Sequence, residues 1–134
     1  MKTIKNAILS FILMFLVASC TSTTKFPVSS ITPAAEITAN VKHDKNNNTL
    51  ITVTANHLAG AERLSPPKKT YVVWITTSDK GVNNIGQLNS KNSKKATLEA
   101  LTSFKPLEIF ITAEDEGNIS YPAGNEISRA TLKK

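Results

Sequence analysis

Residues 36–56 read Glu-Ile-Thr-Ala-Asn-Val-Lys-His-Asp-Lys-Asn-Asn-Asn-Thr-Leu-Ile-Thr-Val-Thr-Ala-Asn. The apolar period is two. Ile37, Ala39 and Val41 alternate with Thr38, Asn40 and Lys42, and Ile51, Val53 and Ala55 alternate with Thr52, Thr54 and Asn56. Period two is the signature of a half-buried strand. Asn46-Asn47-Asn48 between the runs is a turn signal, because Asn tolerates left-handed backbone and bonds locally. A three-residue loop there places Val41 opposite Val53 and Ala39 opposite Ala55. One face of the hairpin is then wholly apolar, the condition that fixes a register. An even-length loop would set apolar residues against polar ones.

The pattern continues downstream. Thr70 to Thr76 holds Tyr-Val-Val-Trp-Ile between threonines, the most β-prone stretch of the chain. Its near-continuous hydrophobicity predicts a central strand, with Trp74 as a core plug between two sheets. Ser78-Asp79-Lys80-Gly81 reads as a turn, Val82 to Leu88 as a shorter strand and Asn89 to Lys95 as a polar loop. Ala96 to Leu101 fits a strand or one helical turn, and its flanks favour strand. Leu107, Ile109, Ile111 and Ala113 alternate with Glu108, Phe110 and Thr112, which gives another mostly buried strand. Asn125 to Leu132 closes the chain around Ile127. About seven short strands separated by turn signals argue for an all-β, antiparallel, immunoglobulin-like β-sandwich over residues 36–134. The Cys…Trp…Cys signature is missing, since the chain has one cysteine.

Two connections stand out. Leu58 to Lys69 contains Gly60 and Ser65-Pro66-Pro67, whose paired prolines deny ladder donors. Glu114 to Gly124 contains Pro122 and two glycines. Upstream, residues 20–35 are rich in Ser and Thr and carry Pro27 and Pro33. They read as a flexible tether, with Phe26, Val28 and Ile31 able to dock on the domain edge.

The first residues have a different logic. Lys2 and Lys5 form a positive region, and Ala7 to Val17 is apolar except for Ser10. Val17-Ala18-Ser19 then leads into Cys20. A charged start, a short apolar core and small residues make a secretory signal peptide over residues 1–19. The run falls short of the ~20 apolar residues of a spanning helix. The cysteine at the cleavage point resembles the lipobox of bacterial lipoproteins, with Val17 where Leu is commonest. The resemblance implies that the Cys20 thiol is joined to diacylglycerol and that the new amino terminus is acylated. An incidental free thiol is the bland alternative, and it is awkward in an oxidising compartment. No cysteine remains for a disulfide. Thr21 stands where Asp would favour retention on an inner membrane, so the expected location is the outer membrane, facing the periplasm.

Formal net charge is +6, from 16 Lys and Arg against 10 Asp and Glu, and two of the lysines leave with the signal peptide. The rest lie at loops and the tail, as in Lys68-Lys69, Lys94-Lys95 and Lys133-Lys134. A nucleic-acid footprint would gather them on one face among aromatics. Aromatics are few, so nucleic acid is not an expected partner. The lysines serve solubility, with weak attraction to anionic lipid heads.

Tyr71-Val72-Val73-Trp74, Gly86-Gln87-Leu88, Phe110-Ile111-Thr112-Ala113-Glu114 and Pro122-Ala123-Gly124 follow one another in an order that resembles the extracytoplasmic domain of anti-sigma-K factors and related stand-alone exported lipoproteins. The motifs there are Tyr-x-x-Trp, Gly-x-Leu, Thr-x-Glu and Pro-x-Gly. The resemblance runs from Tyr71 to Gly124 and implies a sandwich fold and an extracytoplasmic compartment. It brings no catalytic residues. Sigma-factor binding does not transfer, because the family needs a cytoplasmic sigma-binding domain and a spanning helix.

Candidate chemistry is sparse. In the register above, His43 faces Ile51 and His57 faces Ile37, some ~13 Å apart along the ladder. They are read as surface or strand-end residues, and no metal or cofactor is expected. Glu114-Asp115-Glu116-Gly117 lacks the alternate ligand spacing of a calcium loop and is read as a solvated turn. No nucleophile triad or phosphate loop is apparent. Tyr71 and Tyr121 are the open aromatics, and Tyr121 with Glu114, Asp115 and Glu116 forms the expected contact surface. The expected function is non-catalytic: a membrane-anchored interaction module contacting an envelope protein, held to lipid through Cys20. An accessory or sensory part of an anti-sigma-type signalling system is the alternative. A small envelope enzyme is the third reading.

Overall fold

The structure, a computed structural model, describes residues 21–133. The signal peptide and Cys20 lie outside the described residues. The strands are β1 (Thr21–Lys25), β2 (Glu36–His43), β3 (Thr49–Asn56), β4 (Thr70–Thr76), β5 (Val82–Gln87), β6 (Asn89–Asn92), β7 (Lys95–Thr102), β8 (Glu108–Glu114) and β9 (Glu126–Thr131). They form two antiparallel sheets, ordered β1-β2-β3-β7-β6 and β5-β4-β8-β9. Setting aside β1 and β5, the orders β2-β3-β7-β6 and β4-β8-β9 are those of the two sheets of an immunoglobulin constant-type sandwich.

The alternation read from the sequence drives the packing. Ile37, Ala39, Val41, Ile51, Val53 and Ala55 meet Tyr71, Val73, Ile75, Ile109, Ile111 and Ala113 in one core. Each large aliphatic side chain so buried contributes about 1.5–3 kcal/mol. With one cysteine in the chain, no disulfide within the chain can cross-link this core.

The hairpin register differs from the expected one by two residues. Val41 pairs with Ile51, Ala39 with Val53 and His43 with Thr49. The cause is Asp44. Its carboxylate accepts the backbone N–H groups of Asn46 and Asn48, and the Asp44 N–H donates to the Asn48 carbonyl. The connection therefore spans Asp44 to Asn48, with Asn47 at φ 61°. An odd loop keeps parity, so the same residues still face the core.

Two strands were not expected. The segment read as a flexible tether carries β1, which pairs with β2 from Thr21↔Lys42 to Lys25↔Thr38. Beyond it, Phe26 enters the core and the Ser128 hydroxyl donates to the Pro27 carbonyl at 2.8 Å. Residues 21–35 thus close the open side of the sandwich between β2 and β9. The segment read as a polar loop carries β6, an exposed edge strand held by its ladder to β7. Neither strand has an apolar face, and backbone pairing alone leaves no period in a sequence. Both are edges, and their polar exposed residues suit that place.

Trp74 is fully buried, but on the outer face of the second sheet and not between the sheets. Tyr71, Val73 and Ile75 take the inner face, so Val72 and Trp74 must point outward. There they form a second, smaller core with Phe110, covered by Val82 and Ile119. Trp74 and Phe110 stack with ring centroids 6.2 Å apart, and the Arg129 guanidinium lies 4.0 Å from the Phe110 centroid.

The sandwich has two ends. Thr21, His43, Thr102, Thr76 and Glu108 mark one, called here the Thr21 end; Lys25, Asn56, Lys95, Thr70 and Glu114 mark the far end.

Candidate functional site

The far end carries both long connections, and the better defined is the loop after β8. Strand β8 puts Phe110, Thr112 and Glu114 on its outer face by alternation. The Trp74 indole N–H donates to Thr112 Oγ1 at 2.8 Å, and the Thr112 hydroxyl donates to Glu114 Oε1 at 2.7 Å. The same Oε1 accepts the backbone N–H groups of Ala123 and Gly124 at 2.9 and 3.0 Å. At the other side of the loop, the Asn84 side-chain amide donates to the carbonyls of Gly117 and Ile119 at 2.8 and 2.9 Å. Ile119 packs on the small core of Val72, Trp74 and Phe110. A side chain at Gly124 would overlap the Ala113 carbonyl oxygen, so only glycine fits there.

This arrangement corrects two expected contact residues. Glu114 is only 2 % exposed and faces no partner, because its carboxylate is committed to the loop backbone and Thr112. Tyr71 is buried, and its hydroxyl donates to the Ala59 carbonyl at 2.6 Å. Burial, reinforced by the charge of Glu62, pushes the Tyr71 phenol up to about 12. Tyr71 thus ties the Leu58 to Lys69 connection to β4. Asp115 and Glu116 are exposed, and Asp115 pairs with Lys68 at 3.2 Å, which links the two connections. Tyr121 is 78 % exposed.

The resembling motifs meet in this one place. Tyr71 and Trp74 hold the two connections from opposite faces of β4, and Thr112, Glu114 and Gly124 form the clamp of the loop. Gly86, at φ 133°, lets β5 pass Leu98 of the facing sheet, and Leu88 is buried where the chain crosses to β6. Asn84 was missed by sequence reasoning. It lies in a short polar stretch, and nothing in its neighbours signals that its amide reaches residues more than thirty positions away.

A shallow groove of about 340 Å³ lies beside the first connection, between residues 58–63 and 90–96, with Glu62, Arg63, Asn92 and Lys95 on its walls. His43 Nδ1 lies 3.1 Å from the Thr49 hydroxyl at the Thr21 end, and His57 sits at the far end with φ 55°. The two histidines are at opposite ends of the hairpin, as the altered register still requires. Among the described residues no three His, Cys, Asp or Glu side chains are grouped so as to hold a metal ion. Searches against protein-family models, curated proteins and solved structures find no match.

Proposed function

We propose that the chain is an exported lipoprotein, anchored through Cys20 to the periplasmic side of the outer membrane, whose sandwich is a non-catalytic contact module for another envelope protein. The observation that carries the contact reading is Tyr121, an exposed aromatic on a loop pinned at both sides by Asn84 and Glu114. A loop already held in one shape loses little conformational freedom on binding, and an exposed tyrosine supplies a large amphipathic anchor. Glu116, and Asp115 paired with Lys68, add exposed acidic groups on the same loop, which fits a partner surface with basic residues. The anchor reading rests on the signal peptide and the cysteine at its end.

The test is complementation of a deletion strain, with crosslinking from native membranes. Tyr121→Ala with Glu116→Ala should abolish a specific crosslinked partner and impair function while the circular dichroism spectrum is unchanged. His43→Ala with His57→Ala should leave function intact. Function lost in the double-histidine variant with its fold unharmed, or one metal ion per purified chain, would overturn the reading. Intact mass checks the anchor separately: the mature protein should carry acyl chains that Cys20→Ser lacks.

A further inference from the structure

The Thr21 end of the sandwich is where the chain enters the fold, and it is built unlike the far end. Thr21 is already paired with Lys42, so no free residue separates position 20 from the first sheet. The same cross-strand line continues from Lys42 to Leu50 and on to Leu101. Three strand spacings of about 4.8 Å put Leu101 some ~14 Å sideways from Thr21, at the same height along the sandwich. Leu101 is 66 % exposed. The connection that follows β7 holds Phe104, 49 % exposed, and Leu107, 39 % exposed. Three large apolar side chains left partly exposed near one end favour an apolar neighbour.

Lysines outnumber acids at this end. Lys105 and Lys133 line a hollow with His43, Asp44, Asn47, Leu107 and Leu132, Lys45 is exposed in the adjoining turn, and Lys80 borders Leu107 from the other side. The acids here are held in local bonds, although Asp44 and Asp79 are exposed. Asp44 accepts from Asn46 and Asn48, Asp79 from Thr77 and Gly81, and Glu108 is paired with Arg129 at 3.0 Å. At the far end, exposed acids are more numerous: Glu36, Glu62, Asp115 and Glu116 stand among the lysines.

We propose that the Thr21 end is a lipid-docking face: Phe104, Leu101 and Leu107 enter the headgroup boundary of the membrane while the surrounding lysines meet anionic lipid heads. Exposed apolar groups ringed by lysine are the composition of an interfacial contact. The occupant follows from the proposed anchor, since a diacylglycerol on residue 20 would lie next to Thr21 and bring the bilayer to this end. The orientation deepens the anchor reading and rests on it. Its consequence is that Tyr121, at the opposite end, points away from the membrane, where a protein partner can reach it.

The test uses the full chain, processed in cells, purified and reconstituted into vesicles of phosphatidylethanolamine and phosphatidylglycerol. An environment-sensitive dye is placed at Phe104→Cys or at Tyr121→Cys, with the Cys20 thiol occupied by lipid. The dye at position 104 should be blue-shifted and several-fold less accessible to iodide than the dye at position 121. Equal accessibility overturns docking even when acyl mass is present, so the two readings fail separately. If acyl mass is absent, the anchor fails and docking is decided by co-sedimentation of the same unlabelled chain with those vesicles. Binding that Phe104→Ser with Lys105→Glu abolishes then supports the face, and no binding overturns it. A light-scattering mass of two chains that drops to one with Phe104→Ser would assign the face to a second copy and also overturn it.

Discussion

Removing the Glu114 carboxylate should release the loop that carries Tyr121. In Glu114→Ala, the N–H groups of Ala123 and Gly124 and the hydroxyl of Thr112 all lose their acceptor. A hydrogen bond to a charged group contributes about 1.5–3 kcal/mol, and a buried donor left unpaired costs about 1–3 kcal/mol. Water can reach the two loop N–H groups once the loop moves, which offsets part of the loss, while Thr112 stays fully enclosed. The expected net cost is about 2–4 kcal/mol, a large fraction of the ~5–15 kcal/mol typical of a domain. Glu114→Gln keeps the shape and an acceptor oxygen without the charge, so it should cost roughly half as much. Urea denaturation of a chain beginning at residue 21 measures both. Trp74 is the single tryptophan and lies under this loop, so its fluorescence reports the same event. Glu114→Ala should red-shift the native emission and raise acrylamide quenching. An unchanged midpoint with Trp74 still shielded would refute the claim that Glu114 holds the loop.

Trp74→Ala should destabilise by about 3–5 kcal/mol, the range for an emptied aromatic site, and should free Ile119 and the 115–124 loop while the inner core stays packed; proteolysis at the loop and urea midpoints check this. Tyr71 should remain protonated until about pH 12 in the folded chain, seen as a delayed phenolate absorbance. Its folded value lies above the unfolded value of about 10, so the folded state binds more protons in that window. Its stabilising effect is complete below pH 10 and is lost as pH rises from about 10 to 12, and Tyr71→Phe should flatten that slope. The same variant loses the bond to the Ala59 carbonyl at a cost of about 0.5–1.5 kcal/mol, measured by urea denaturation.

Much of the inner architecture was legible in the sequence because burial on one face of a strand writes a period of two. Ile37 to Val41, Ile51 to Ala55 and Ile109 to Ala113 announce both their strands and the faces they bury, and an odd loop preserved those faces even when Asp44 lengthened it. The continuous run Tyr71 to Ile75 announced a central strand, and β4 lies between β5 and β8. What the run did not say is which face Trp74 takes, because a strand buried on both sides has no polar phase to mark its inside. Edge strands β1 and β6 were illegible for the complementary reason: their stability comes from backbone pairing with a partner that only the fold supplies. The candidate site was half readable. Tyr121, Asp115 and Glu116 could be placed on a loop by Pro122 and the glycines near them. That Glu114 turns inward depended on Ala123 and Gly124 returning to it across nine and ten residues, and on Asn84 meeting Gly117 from another strand. Local sequence encodes which groups seek burial or a turn; which distant backbone group satisfies a buried carboxylate is decided only when the tertiary structure brings the two together.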